Sequence, residues 1–172
     1  MASRGMYQWL FPKNADYLPD SIEDGAAQVR TTGRLLTELI MANIVPKIDQ
    51  AMQSVTNLAA GADGYNVSED SRVDVHVAMS LAGGTGCGSF INIAQLIKEK
   101  YGSKITLYGY GVLYSVFRAM DPGTLETPRV RLNTYSAILD LDYLQTASTT
   151  NPISFTVAGQ TKTIIAPLYD NF

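Results

Sequence analysis

Apolar and polar positions follow two clear periods in the first half of the chain. Residues 72–80 alternate, with valines or methionine at every second position, which predicts a strand that turns one face to a core. Residues 34–55 repeat at helical spacing and predict a helix that Pro46 kinks or splits. The inner sides of the two elements would carry Val73, Val75, Val77 and Met79 of the strand and Leu35, Leu36, Leu39, Ile40, Ile44, Ile48, Met52 and Val55 of the helix.

The second half of the chain continues with elements of both kinds. Residues 88–101 predict a helix that ends at Gly102, and residues 104–113 predict a second strand. Residues 114–127 predict a loop, and the run from Pro128 to about residue 144 predicts another helix. The last segments, "ISFTVA" and "TKTIIA", predict a hairpin that turns around Gly159 and Gln160.

The order strand, helix, strand, helix predicts an α/β fold. A helix that joins two consecutive strands gives a right-handed crossover with parallel strands. We therefore expect a Rossmann-like, mostly parallel sheet flanked by helices, with a C-terminal β-hairpin. The chain of 172 residues is interpreted as a single domain, 1–172, in which 1–20 form an irregular N-terminal segment. Ligands of such sheets bind outside the carboxyl ends of the strands.

Composition and charge narrow the possible partners. The net charge of −3 argues against nucleic acid as a partner, and the single cysteine excludes an intramolecular disulfide. No apolar run is long enough to span a membrane or to act as a signal peptide, so we expect a cytoplasmic protein. One histidine and one cysteine make no zinc site, and we expect neither a metal site nor a catalytic residue on this chain.

The segment "SLAGGTGCGSF" places four glycines where the first strand passes into a helix. A helix start exposes unpaired amides and the positive end of the helix dipole, which together bind anions. The hydroxyls of Thr85 and Ser89 are further donors. The segment is therefore interpreted as a phosphate cradle, and the alternative is a tight connection in which glycine only allows close packing.

Two common phosphate-binding patterns fit this segment poorly. The dinucleotide pattern matches at Gly84 and Gly86, but Ser89 takes its last place and no acidic residue follows the second strand, which disfavours an NAD-dependent oxidoreductase. The Walker pattern matches at Gly83 and Gly88 but lacks its lysine. Phosphate would thus be neutralised by amides, the helix dipole and magnesium.

A third pattern fits better: "AGGTGCG" resembles the tubulin signature G-G-G-T-G-S/T-G, with Ala82 in the first place. The following "SFINIAQLIKEKYGSKITLYGYGVL" is similar to the helix and strand after that signature in tubulins and FtsZ. "RLNTYSAILDL" resembles a later FtsZ helix, and "DGAAQVRTTGR" resembles the loop and helix that face the terminal phosphate. The resemblance covers roughly residues 22–144.

This resemblance implies a GTPase domain that polymerises head to tail. It implies that GTP or GDP, with Mg²⁺ held through the phosphates, binds residues Gly83, Gly84, Thr85, Gly86, Cys87, Gly88 and Ser89. It further implies that the γ-phosphate lies near Gly25, Ala26 and Ala27, and that the nucleotide is contacted by Arg131 and, one place from the family's acidic position, by Glu126. Arg30, Arg34 and Arg129 are further candidates for phosphate contacts.

The chain also departs from the tubulin pattern. Nothing in residues 1–24 resembles the first phosphate loop of the family, and no acidic loop follows residue 144. We therefore expect either a central piece of a longer protein or a reduced relative of the family, and we expect the chain alone to hydrolyse GTP weakly or not at all. The alternative function is a structural or interaction module that is derived from a tubulin-like domain and binds no nucleotide.

Two further side chains have a chemical and a structural interpretation. Cys87 at the helix start is either a reactive thiol or a small residue that fills a small space, and the second is favoured. His76 lies with Asp74 on the strand face opposite the valines, where a hydrogen-bonded structural role is favoured over catalysis.

Overall fold

The structure is a computed structural model that describes residues 26, 28–61, 72–120, 128–146, 152–157 and 160–172. The predicted irregular segment 1–20 and the turn between the last two strands lie outside the described residues. The elements in chain order are α1 (Arg30–Gly61), β1 (Val73–Ser80), α2 (Gly84–Tyr101), β2 (Ile105–Val112), α3 (Tyr114–Met120), α4 (Pro128–Gln145), β3 (Ser154–Val157) and β4 (Gln160–Thr163).

The two central strands confirm the predicted α/β fold. β1 and β2 pair in parallel from Val73 opposite Ile105 to Ser80 opposite Val112, and α2 connects them. β3 and β4 pair antiparallel, which confirms the predicted hairpin. Because the register brings Ser80 and Val112 together, the carboxyl ends of both strands meet at one edge of the sheet.

The core lies between α2, the inner face of the sheet and the C-terminal segment. Phe90, Ala94 and Ile97 of α2 are buried, as is Leu107 of β2. Tyr169 is fully buried as well, and its hydroxyl donates to the carbonyl oxygen of Phe90 at 3.0 Å. The C-terminal segment thus closes the core, and Asn171 extends the sheet by a parallel bridge to Tyr108.

Helix α2 begins earlier than the sequence predicted. Its first residue is Gly84 and not residue 88, so most of the glycine segment is the first helical turn. Glycine has poor helix propensity, but here the turn packs closely against α1 and β1, and this packing outweighs the propensity. The predicted stop at Gly102 is confirmed, since its φ of 50° is left-handed and its N–H caps Lys98 O.

Three other sequence predictions were wrong in part. Residues 114–120 form α3, where a loop was predicted. Pro46 does not split α1, which runs as one helix of 32 residues. The predicted inner stripe of that helix holds only in part: Ile48 and Met52 pack against the core, but Leu39, Ile40 and Val55 are exposed. The buried residues of its first turns are Thr32, Gly33 and Thr37.

The outward side of β1 carries His76 as predicted. Its ring stacks on Tyr108 at 4.8 Å between centroids, and its Nδ1 lies 2.9 Å from the hydroxyl of Tyr110. These contacts support the structural interpretation of His76. None of the described helices is long and apolar enough to cross a membrane.

Candidate functional site

The start of α2 lies at the carboxyl end of β1. Gly83 is the N-cap residue, in an extended conformation, and no described side chain caps this helix end. The amides of Gly84, Thr85 and Gly86 have no intrahelical partner, because the carbonyls four residues before them lie outside the helix. Thr85, in the same helical turn, is exposed.

Ser80 shapes the turn that leads into this helix. Its hydroxyl oxygen accepts hydrogen bonds from the amides of Ala82 at 3.3 Å and Gly83 at 3.2 Å. The last residue of β1 therefore satisfies the two amides of the turn that directly precede the helix. Ser80 was not among the predicted site residues.

The loop before α1 lies against the start of α2. Val29 N donates to Ala26 O at 2.7 Å, which closes a turn, and Gln28 adopts a left-handed φ of 60°. A Cβ on Gly84 would lie 2.8 Å from the Cβ of Ala26. The structure thus brings Ala26 beside the glycine turn, while the predicted Gly25 and Ala27 lie outside the described residues.

The glycines of the segment differ in what surrounds them. A Cβ on Gly84, Gly86 or Gly88 would meet backbone atoms of α1, of the loop before it or of Ser80 at 2.3–2.7 Å. These three glycines allow close packing of protein on protein. A Cβ on Gly83 would meet, among the described residues, only the hydroxyl oxygen of Ser80 at 3.8 Å. Gly83 is therefore the position where the turn leaves space at its surface.

Cys87 and Ser89 use their side chains within the protein. Cys87 is fully buried, and its thiol donates to Asn133 O at 3.2 Å. Burial raises the pKa of the Cys87 thiol to about 11, so it is protonated at neutral pH, which supports its interpretation as a filler of a small space. The hydroxyl of Ser89 donates to Gly86 O at 3.4 Å.

The arginine candidates lie on two sides of α2. Arg131 is exposed on α4, with its guanidinium 5.6 Å from the ring centroid of Tyr114, and thus lies near the edge where the strands end. Arg30 points elsewhere: it pairs with Asp140 at 2.5 Å and donates to Cys87 O at 3.0 Å. Glu126 lies outside the described residues.

Arg34 also points away from the glycine turn. It pairs with Glu38 at 3.2 Å, and together with Arg30 it lines a cavity of about 330 Å³ between α1, α2 and α4. The Glu38 side chain is only 3% exposed, and burial lowers the pKa of Arg34 and raises the pKa of Glu38. The two arginines of α1 are thus engaged by carboxylates.

A smaller cavity of about 100 Å³ lies at the glycine turn itself. It is lined by residues of the loop before α1, of the turn and of α3 and α4, namely Gln28, Ser80, Ala82, Gly83, Phe117 and Val130. Among the residues that the structure describes, no group of three or more His, Cys, Asp and Glu side chains could hold a metal ion. A magnesium ion here would depend on phosphate oxygens for its ligands.

Asn133 joins two parts of the candidate site and was not among the predicted residues. Its side-chain amide donates to Gln28 O at 2.8 Å and to Ala82 O at 3.0 Å, so α4 holds both the loop before α1 and the glycine turn. Its spacing from Val130 and Ala137 places it on the buried face of α4. A buried asparagine between apolar neighbours at helical spacing was the signal that could have found it.

Comparison with known proteins identifies the family. The family model described as tubulin like matches residues 2–167 of the chain. No curated protein and no solved structure matches. The match spans nearly the whole sequence, including the strand, the glycine turn and the helices described above, and the chain therefore belongs to the tubulin-like family.

Proposed function

We propose that the start of α2 binds the phosphates of a guanine nucleotide, GTP or GDP. The observation that carries this proposal is the uncapped helix N-terminus at Gly83, with free space at the surface of the turn. Helix starts of this kind bind phosphate through their amides and their dipole. Membership of the tubulin-like family supports guanine as the base.

Each nearby group has a defined part in this proposal. The amides of Gly84, Thr85 and Gly86 and the hydroxyl of Thr85 would donate to phosphate oxygens. Ala26 and its neighbours would face the terminal phosphate from the side of α1, and Arg131 would contribute positive charge from α4. Because no lysine stands in the turn, the helix dipole and Mg²⁺ on the phosphates would offset the remaining negative charge.

Two further points belong to the proposal. Self-association, head to tail, is supported by the family. We assign nucleotide binding to the described residues and no catalytic step, because none of their side chains stands at the turn as a general base.

The alternative is a structural module without nucleotide. One observation favours it: the glycines at 84, 86 and 88 are required by backbone packing alone, so their presence does not demand a ligand. Gly83 distinguishes the two functions, because close packing does not require a glycine at this position. Its extended φ of −81° suits any residue.

Equilibrium titration with labelled nucleotides tests the proposal. We expect GTP with Mg²⁺ to bind more tightly than ATP or NAD. We expect Gly83→Val to weaken GTP binding at least tenfold, because the valine side chain would occupy the open space at the turn. We expect Thr85→Ala to weaken it less. Ser103→Val, exposed and two residues beyond the far end of α2, is the control and should leave affinity unchanged. Absence of GTP binding, or equal binding by Gly83→Val, would favour the structural module.

A further inference from the structure

We propose that Asn133 is a positioning residue for the anion site. From α4 it holds the loop before α1 in a left-handed conformation against the glycine turn, so the site keeps one shape. This inference rests on the proposed function, because the site that it positions is the proposed phosphate site. It makes the shape of that site depend on α4, although α4 contributes no amide to the turn.

The hydrogen bonds of Asn133 join segments that are far apart in the chain. The side chain is buried, and both hydrogens of its amide are donated, one to Gln28 O and one to Ala82 O. Because both partners are carbonyl oxygens, the nitrogen must face them. The main-chain oxygen of Asn133 in turn accepts from the Cys87 thiol at 3.2 Å. One residue of α4 thus contacts the loop, the turn and α2.

Few side chains could take this place. Aspartate would turn a carboxylate oxygen toward two carbonyl oxygens, and leucine has no donor at all. Loss of the amide would leave two carbonyl oxygens without this donor in a buried region, which is unfavourable. Asparagine supplies two donors on a short side chain, as this geometry needs.

Gln28 explains why the loop needs to be held. Its φ of 60° lies in the left-handed region, which side chains with a Cβ disfavour. The carbonyl that Asn133 binds belongs to this same residue. The next residue, Val29, lies against Gly84. A relaxed Gln28 would therefore move the loop at the start of α2 and change the cavity that Gln28 and Gly83 both line.

Glycine at position 28 gives a direct test, because glycine adopts this φ without a penalty. We expect Asn133→Ala to weaken binding of GTP with Mg²⁺ about tenfold. We expect the double variant Asn133→Ala, Gln28→Gly to recover most of that loss. The double variant Asn133→Ala, Gln28→Ala should not recover it, because it removes the same side chain but keeps the Cβ. Asn92 is also a buried asparagine but lies on α2. Asn92→Ala is therefore the control for general loss of packing and should leave GTP affinity unchanged.

A second readout does not depend on nucleotide. Backbone chemical shifts of residue 28 in the nucleotide-free protein should leave the left-handed range in Asn133→Ala and stay there in Asn92→Ala. Should Asn133→Ala not fold, Asn133→Ser, which keeps one donor, should show the same changes to a smaller extent. If the wild type binds no GTP, the proposed function fails, and these shifts still decide the role of Asn133.

Three results would overturn the inference. The first is unchanged GTP affinity in Asn133→Ala together with lower stability, which is a structural effect alone. The second is equal recovery by Gln28→Ala and Gln28→Gly. The third is a residue 28 that remains left-handed without the asparagine amide.

Discussion

Gly33 of α1 and Gly84 of α2 meet so closely that a Cβ on Gly33 would stand 2.1 Å from the carbonyl oxygen of Gly84. The two helices therefore cross with backbone against backbone at the start of α2. This contact fixes the first turn of α2 from one side, while Ser80 fixes it from the side of the sheet. The shape of the proposed phosphate site follows from this packing.

Gly33→Ala should destabilise the protein. Alanine favours a helix over glycine by about 1 kcal/mol, but the added methyl would meet backbone atoms that cannot turn away. We expect a net loss of about 1–3 kcal/mol in the free energy of unfolding, measured with urea. Asn43→Ala on the exposed part of α1 should leave stability equal or slightly higher. A Gly33→Ala protein as stable as the wild type would contradict the close crossing.

Cys87 should react with thiol reagents only when the protein unfolds. It is fully buried, and burial raises its pKa to about 11. In the folded state the reagent therefore cannot reach the sulfur, and the thiol stays protonated. The chain has one cysteine, so labelling by iodoacetamide reports this residue alone. We expect negligible labelling at pH 7.5 and full labelling in urea. Rapid labelling of the folded protein would contradict the buried position.

Asp170 should make the protein less stable in acid. Burial alone would raise the pKa of this carboxyl, but hydrogen bonds from Leu107 N at 2.7 Å and Lys98 Nζ at 2.9 Å outweigh burial and lower it. A lowered folded-state pKa stabilises the protein above about pH 4, and this contribution is lost as the pH falls through the folded-state value.

Asp170→Asn should therefore reduce stability at pH 7 and flatten its decline below about pH 4. Asp74→Asn on the exposed side of β1 is the control and should change neither. Urea unfolding at several pH values measures both effects. An Asp170→Asn protein with the full acid dependence of the wild type would show that another group is responsible.

Gln145 should hold the C-terminal segment in place. Its amide donates to Tyr169 O at 3.0 Å and accepts from Tyr169 N at 2.9 Å. Gln145→Glu would keep the acceptor but set an oxygen against the carbonyl of Tyr169, at a cost of about 1–3 kcal/mol. We expect faster amide exchange in residues 168–171, measured by NMR. Gln53→Glu on the exposed side of α1 should leave that exchange unchanged.

The parallel strands and the position of the glycine turn could be predicted because local pattern decides them. Alternation in β1 shows which face is covered, and the order of elements fixes a parallel pairing. The start of α2 and the buried face of α1 could not be predicted in the same way. Both depend on the contact of Gly33 with Gly84, which lie far apart in the chain, and a hydrophobic period does not record contacts between glycines.

The candidate site could likewise be predicted only in part from the sequence. The amides that follow Gly83 were evident from the segment itself, since a glycine-rich strand-to-helix turn exposes them. A small, space-filling Cys87 was favoured by the sequence, but its contact with Asn133 O and the role of the Asn133 side chain were not evident. These depend on how α4 packs across the turn, and that arrangement is set by tertiary contacts.

The most direct test of the central claim is an NMR titration of the ¹⁵N-labelled protein with GTP and Mg²⁺. We predict that the amide signals of Gly84, Thr85 and Gly86 shift most, with saturation at a common dissociation constant, because these amides would bind phosphate oxygens. Shifts confined to other parts of the chain, or no shifts at millimolar GTP, would contradict the account.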